Sequence, residues 1–140
     1  GVDVPQRLVE AKKRGAQIVV IDPRRTATVK HASTWWLPCR PGTDSALMLA
    51  VLYVLLTEDR ADRIFIQSHS TGFDELKAYV LGIEGEARSP KWAEAICGIP
   101  AEEIARFARA YAAADRIHFR GMQLRRDIAA AGLASRCPTQ

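Results

Sequence analysis

The chain carries little with which to build a metal or disulfide site of its own. Its 140 residues hold three cysteines, Cys39, Cys97 and Cys137, an odd number at wide spacing and without a Cys-x-x-Cys pair. That argues against a zinc or iron–sulfur site made by this chain alone and leaves structural or free thiols as the default. The three histidines, His31, His69 and His118, are scattered and read as solvated or structurally hydrogen-bonded side chains. No GxGxxG, GxxxxGK[ST], GxSxG or HExxH pattern occurs, and no nucleophile–base pair can be assembled from the sequence. Long apolar runs are also missing. The longest, Ala46 to Leu56, has 11 residues, too few to cross a bilayer and about right for a buried helix. The opening Gly1-Val2-Asp3-Val4-Pro5 shows no charged-then-apolar leader. Lys plus Arg exceeds Asp plus Glu by only 20 to 16, a net charge of +4 spread along the chain. So small a surplus points to neither a nucleic-acid partner nor membrane insertion.

What is present is the make-up of an ordinary soluble globular domain. The chain is 48% hydrophobic and 26% charged, with nine glycines and seven prolines, which excludes disordered, collagen-like and disulfide-scaffold classes. The length is that of one domain. Pro5 to Arg14 reads as a helix stopped by Gly15. Gln17 to Ile21 is short, continuous and β-branched, the mark of a strand buried on both faces of a parallel sheet. Asp22-Pro23 ends it and opens a polar, basic loop reaching His31. Thr34 to Leu37 reads as a second strand, and Pro41-Gly42 as a turn. Thr43 fits a helix N-cap with Asp44 in the first turn, and the helix to Thr57 is apolar nearly all round and should be buried.

Shorter helices follow at Asp62–Ser68 and Phe73–Leu81, the latter with Phe73, Leu76, Tyr79 and Val80 on one face. Gly82 to Arg88 reads as a surface loop. Ser89-Pro90 opens a helix to Cys97, and Gly98-Ile99-Pro100 separates it from a helix over Ala101–Ala114. Arg116 to Arg120 reads as a further strand, Asp127 to Ala134 as helix-permissive, and Ser135 to Gln140 as a loose tail. Helices alternating with short strands define an α/β chain with a parallel sheet.

The chemistry concentrates in two turns. In open α/β sheets ligands bind beyond the carboxyl ends of the strands, where Asp22 sits. A carboxylate there takes two donors from a ribose or a guanine ring, and Arg24 and Arg25 suit phosphate oxygens. Gly42-Thr43-Asp44 adds helix N-terminal N–H groups, a hydroxyl and a carboxylate. Lys30 and Arg40 fall around the same turns. Strand–Asp-Pro turns and Pro-Gly-Thr-Asp caps are also common punctuation, so these residues alone leave nucleotide binding and plain turn chemistry both open. Trp35-Trp36 suit ring stacking, but strand packing is the simpler role.

Val19-Val20-Ile21-Asp22-Pro23-Arg24-Arg25-Thr26, then Leu37-Pro38-Cys39-Arg40-Pro41-Gly42-Thr43-Asp44 and an apolar helix, resemble the molybdopterin oxidoreductases, the dimethyl sulfoxide reductase superfamily. Thr71-Gly72-Phe73-Asp74-Glu75-Leu76, Pro90-Lys91-Trp92-Ala93, Ile96-Cys97-Gly98-Ile99 and Ile104-Ala105-Arg106-Phe107-Ala108 continue the family's order. The resemblance runs from about Gln6 to Gly132. Tyr79-Val80-Leu81-Gly82 and Trp92-Ala93-Glu94-Ala95-Ile96-Cys97-Gly98 look most like the S-oxide and N-oxide reductase branch, with the formate dehydrogenase and nitrate reductase branch as the alternative.

The resemblance implies a Rossmann-like parallel sheet flanked by helices, forming part of a domain of a larger enzyme. Residues 1–134 would be the cofactor-binding fragment and 135–140 a tail. It implies that the parent holds molybdenum through bis(molybdopterin guanine dinucleotide) and transfers an oxygen atom from an S-oxide or N-oxide. The family holds the guanosine diphosphate arm with the matching turns, here Asp22, Pro23, Arg24, Arg25, Thr26, Gly42, Thr43 and Asp44. A further family segment near the pterin keeps its glycine as Gly121, but its glutamine position holds Arg125, which puts that contact in question, with Gln123 as a partial substitute. No catalytic residue or metal ligand matches within the chain. The family's metal-ligating residue lies upstream, so this chain by itself is expected to be inactive and to bind the whole cofactor only with the remainder of the molybdoenzyme. An electron-transfer subunit is a further implied partner, and the parent's location, periplasm or cytoplasm, stays open. The rival to a cofactor-binding fragment is a free-standing domain that kept the fold without the cofactor.

Overall fold

The architecture was taken from a computed structural model, which describes residues 4–114. The expected strand at Arg116–Arg120, the helix at Asp127–Ala134, the tail and Gly121 lie outside the described residues. In chain order the elements are α1 (Val4–Lys13), β1 (Val19–Ile21), α2 (Ala27–Ala32), β2 (Trp35–Leu37), α3 (Asp44–Thr57), α4 (Arg63–His69), α5 (Phe73–Leu81), α6 (Pro90–Cys97) and α7 (Ala101–Ala114). The described chain is therefore a mostly helical α/β arrangement with a small parallel sheet.

The sheet has two strands in parallel register, Val19 opposite Trp35, Val20 opposite Trp36 and Ile21 opposite Leu37. Parallel strands need a crossover between them, and here α2 supplies it. The basic segment after β1, expected to be a loop as far as His31, contains this helix. The reason is local. The Thr26 hydroxyl accepts the N–H of Val29 at 3.4 Å as an N-cap, and Val29 and Ala32 bury one side of the turn. Lys12 of α1 closes the other end, donating from Nζ to the Ser33 carbonyl at 2.8 Å.

β1 is shorter than expected and is not buried on both faces. Val19 and Val20 are half-buried and Ile21 is exposed, because among the described residues the sheet stops at two strands. Ladder contact extends one residue further back through Thr34, whose hydroxyl accepts the Ile18 N–H at 2.8 Å.

The core lies around α3. Leu47 and Ala50 are fully buried against Ala93 and Cys97 of α6 and Ile104 and Ala108 of α7, with Leu37, Cys39, Val51, Val54 and Ile99 completing the cluster. A helix with no polar stripe is built for burial on every side. α3 achieves this toward α6 and α7, while Met48 on its outer side stays 47% exposed. Ser89 caps α6 as the sequence indicates, its hydroxyl accepting the Trp92 N–H at 3.2 Å, with Pro90 in the first turn.

The expected apolar face of α5 is only partly used. Val80 is buried, whereas Leu76 and Tyr79 are exposed, because α5 reaches the core only along its contact with α3. α4 buries none of its residues. Among the described residues no helix is long and apolar enough to cross a membrane.

Candidate functional site

Both turns singled out in the sequence leave the same edge of the sheet. Ile21 and Leu37 are paired in parallel, so the chain exits β1 into Asp22 and exits β2 into Pro38 side by side. The first turn is held by β2. The Asp22 N–H donates to the Leu37 carbonyl at 3.3 Å, and the Asp22 carbonyl accepts the indole N–H of Trp36 at 2.8 Å. The Asp22 carboxylate folds back on the turn: its Oδ1 accepts the Arg24 N–H at 2.7 Å. The other carboxylate oxygen is left for a donor. Pro23, Arg24 and Arg25 are exposed, and neither guanidinium has a partner among the described residues. Lys30 and His31 are exposed on α2 nearby in sequence.

The second turn runs from Pro38 to Asp44. Gly42 has φ +74°, the left-handed conformation that favours glycine, and a Cβ added there would meet nothing within 4 Å. The turn is thus both glycine-requiring and open. Asp44 is exposed in the first turn of α3, where N–H groups have no acceptor within the helix and the dipole favours negative charge on a ligand or side chain. Thr43 takes the expected N-cap position of α3. Its hydroxyl makes no cap bond and instead donates to the Arg40 carbonyl at 2.6 Å, with the Cys39 Sγ 3.3 Å away. Thr26 caps α2 through its oxygen and keeps its proton for a further acceptor.

Arg40 falls by sequence beside the turns expected to meet phosphates, but its side chain is committed elsewhere. Nη1 donates to the carbonyls of Ala95 and Ile96 at 3.0 and 3.2 Å, closing the C-terminal end of α6. Trp35 packs as expected of a strand aromatic. Its indole donates to Glu103 Oε2 at 2.6 Å, Phe107 meets it edge-on, and Arg106 lies 4.3 Å from its ring centre. His69 stacks on Phe65 and hydrogen-bonds Ser68 at 2.7 Å, a structural role. Cys39 and Cys97 are buried and unlinked. Burial pushes the Cys97 thiol above its ordinary value, with the Cys39 side chain adding to the rise. No group of three or more metal-ligating side chains forms among the described residues.

Two features were not read from the sequence. Trp36 anchors the Asp22 turn, a role visible only once register places it beside residue 22. A separate cleft of about 550 Å³ lies between α4 and α5, lined in part by Asp59, Arg63, Gln67 and Lys77. No sequence motif marks it, and none of the residues of the two turns lines it.

The described residues thus form an α/β segment in which two polar turns leave the carboxyl edge of a parallel sheet, the edge at which ligands bind in open α/β folds. Comparison with known proteins gives it a family. No family model matches the chain. It is 38% identical over 112 residues to the dimethyl sulfoxide reductase DmsA of Escherichia coli, covering 70% of this chain and 14% of that protein. It is 37% identical over 113 residues to the F420-dependent formate dehydrogenase subunit alpha of Methanocaldococcus jannaschii, 81% of this chain and 16% of that one. Among solved structures it matches acetylene hydratase from Pelobacter acetylenicus with a TM-score of 0.60 and 36% identity, over 71% of this chain and 13% of that chain. The chain belongs to the molybdopterin oxidoreductase superfamily. It spans about one seventh of the length of the relatives it matches.

Proposed function

We propose that this chain is the part of a molybdenum oxidoreductase that holds a guanosine diphosphate arm of a bis(molybdopterin guanine dinucleotide) cofactor. One observation carries the reading: the parallel pairing of Ile21 with Leu37 brings the chain out of the sheet side by side into the Asp22–Thr26 turn and into the Pro38–Asp44 segment. The residues suit the group. Arg24 and Arg25 are exposed and unpaired among the described residues, Gly42 leaves room for close approach, and Asp22 keeps one carboxylate oxygen free for donors of a ribose or guanine. When bound, the cofactor supplies the two-electron chemistry of the parent. The residues here bind and orient its nucleotide end, and the surrounding sheet continues as a Rossmann-like layer in the longer protein.

The parent's reaction is, on this reading, oxygen-atom transfer from an S-oxide or N-oxide, with the rest of the enzyme and an electron-transfer subunit as partners. The dimethyl sulfoxide reductase relative supports it. A second reading, a formate dehydrogenase-like parent, is favoured by the near-equal identity to the formate dehydrogenase subunit. Both readings share the nucleotide site, and calorimetric titration with GDP tests it. The wild-type chain should bind GDP more tightly than guanosine, and Arg24→Ala with Arg25→Ala should remove the difference. Equal binding of GDP and guanosine by the wild type, or no binding of either at millimolar ligand, contradicts the proposal and favours a domain that kept only the fold.

A further inference from the structure

Two buried thiols share the apolar core cluster around α3. Cys39 follows β2 and is 2% exposed; Cys97 ends α6 and is 0% exposed; both belong to the same apolar cluster and neither is in a disulfide. Their backbones are joined by one hydrogen bond, from the N–H of Arg40 to the carbonyl of Cys97 at 2.9 Å. Covalent geometry on either side of that bond keeps the two α-carbons within about 8 Å of each other at most. A disulfide needs roughly 4.4–6.8 Å, inside that bound.

Both side chains lie within the one buried cluster. Thr43 spends its hydroxyl proton on the Arg40 carbonyl at 2.6 Å, so the Cys39 thiol is the donor to Thr43 Oγ1 at 3.3 Å. Neither sulfur takes part in the proposed nucleotide site, and the inference does not rest on that reading.

We propose that Cys39 and Cys97 are a reversible dithiol–disulfide pair that fastens the segment leading into the Gly42 turn to the C-terminal end of α6. The co-reactant is a small disulfide. One cysteine thiolate attacks it, breaking its S–S bond, forming a mixed disulfide and releasing one small thiol. The second cysteine thiolate then attacks the protein sulfur of the mixed disulfide and releases the other small thiol. Two protein thiols are oxidised by two electrons, the small disulfide is reduced to two thiols, and both protons leave with them. The surroundings favour the product, because a disulfide carries no ionisable group into a cluster of Leu37, Leu47, Ile99 and Ile104. They also make the exchange slow. Both sulfurs are covered, and attack needs a thiolate that burial disfavours. Exchange therefore proceeds through local opening.

The test uses the full 140-residue chain carrying Cys137→Ser, which leaves only these two thiols. The reduced protein is incubated with 2-hydroxyethyl disulfide under native conditions, then denatured, alkylated and weighed. The expected product is a monomer 2 Da lighter with no alkylatable thiol and a peptide linking Cys39 to Cys97. Its Tm should be higher by roughly 5–10 °C, as for closure of a long loop. Adding Cys39→Ser or, separately, Cys97→Ser should abolish the 2 Da loss and leave a mixed disulfide or a free thiol. Two alkylatable thiols after prolonged native incubation, or a linked monomer whose Tm is lowered, would overturn the proposal. Neither outcome depends on whether a cysteine variant folds, because the deciding measurement is made on the chain with both cysteines present.

Discussion

Trp36 donates its indole N–H to the main-chain carbonyl of Asp22 at 2.8 Å, so a residue of β2 holds the turn that leaves β1. The Asp22 N–H is held by Leu37 in the same way. The carboxylate at the strand end is thus placed by its own peptide groups on both sides. Trp36→Phe keeps a ring in the half-buried position and deletes only the donor. A neutral hydrogen bond of this kind contributes about 1 kcal/mol. The expected result is a lower urea midpoint with an unchanged denaturant slope, together with weaker GDP binding. A variant that binds GDP as the wild type does would separate Trp36 from the site.

Asp44 stands in the first turn of α3, exposed and beside the open Gly42. If it receives a hydrogen bond from the nucleotide, Asp44→Ala in the longer parent enzyme should weaken cofactor retention by about 1–3 kcal/mol. The check is molybdenum content of the purified variant, expected to fall while the isolated chain's melting temperature changes little. Undiminished molybdenum would remove Asp44 from the cradle.

Two glycines with the same backbone conformation should respond differently to a methyl group. Gly42 and Gly82 have φ of +74° and +73°. A Cβ at Gly42 enters open space, whereas one at Gly82 would lie 2.5 Å from the Ala87 nitrogen. Gly42→Ala should cost only the left-handed conformation, about 1–2 kcal/mol, and should impair GDP binding because the ligand needs that space. Gly82→Ala should cost distinctly more in stability by chemical denaturation and leave GDP affinity intact in whatever fraction folds. Equal destabilisation by the two would contradict the geometry.

These comparisons also show what could be read ahead of the structure. The strands were legible because β-branched Val19-Val20-Ile21 and the Trp35–Leu37 run are short and bounded by Asp-Pro and Pro-Gly. The α6 start was legible because Ser89-Pro90 acts within one turn. α2 was not, since Ala-Thr-Val-Lys-His-Ala has no strong period and forms a helix only because Thr26 caps it and Lys12, far off in sequence, closes it. Arg40 shows the same limit at the candidate site. Its position beside Gly42 pointed to phosphate, but α6 packs close enough to take its guanidinium. Composition identifies a cation, while its partner depends on which distant carbonyls the fold brings near.

Acid should act through Glu58. Its carboxylate accepts from Arg109 at 2.8 Å and from Arg60 at 2.9 Å, and the Arg109 hydrogen bond, with that of Arg60, holds its pKa below the ordinary value of 4.5. A carboxyl lowered in the folded state adds stability that is present above its unfolded pKa and disappears as pH falls through the folded one. Glu58→Gln should therefore lower the urea midpoint at pH 7, and the gap to wild type should close as the pH falls below the ordinary carboxylate value. High salt should narrow it at neutral pH, because the pair is exposed. A gap that persists unchanged in strong acid would mean that Glu58 acts through packing instead.

The central claim is that the two turns at the carboxyl edge of the sheet form one nucleotide cradle. Backbone amide chemical shifts of the full chain during titration with GDP test it most directly. The expected result is saturable change concentrated at residues 22–26 and 42–45, with Trp36 Nε1–H moving in step. Shifts confined to the cleft between α4 and α5, or none anywhere at millimolar GDP, would contradict it.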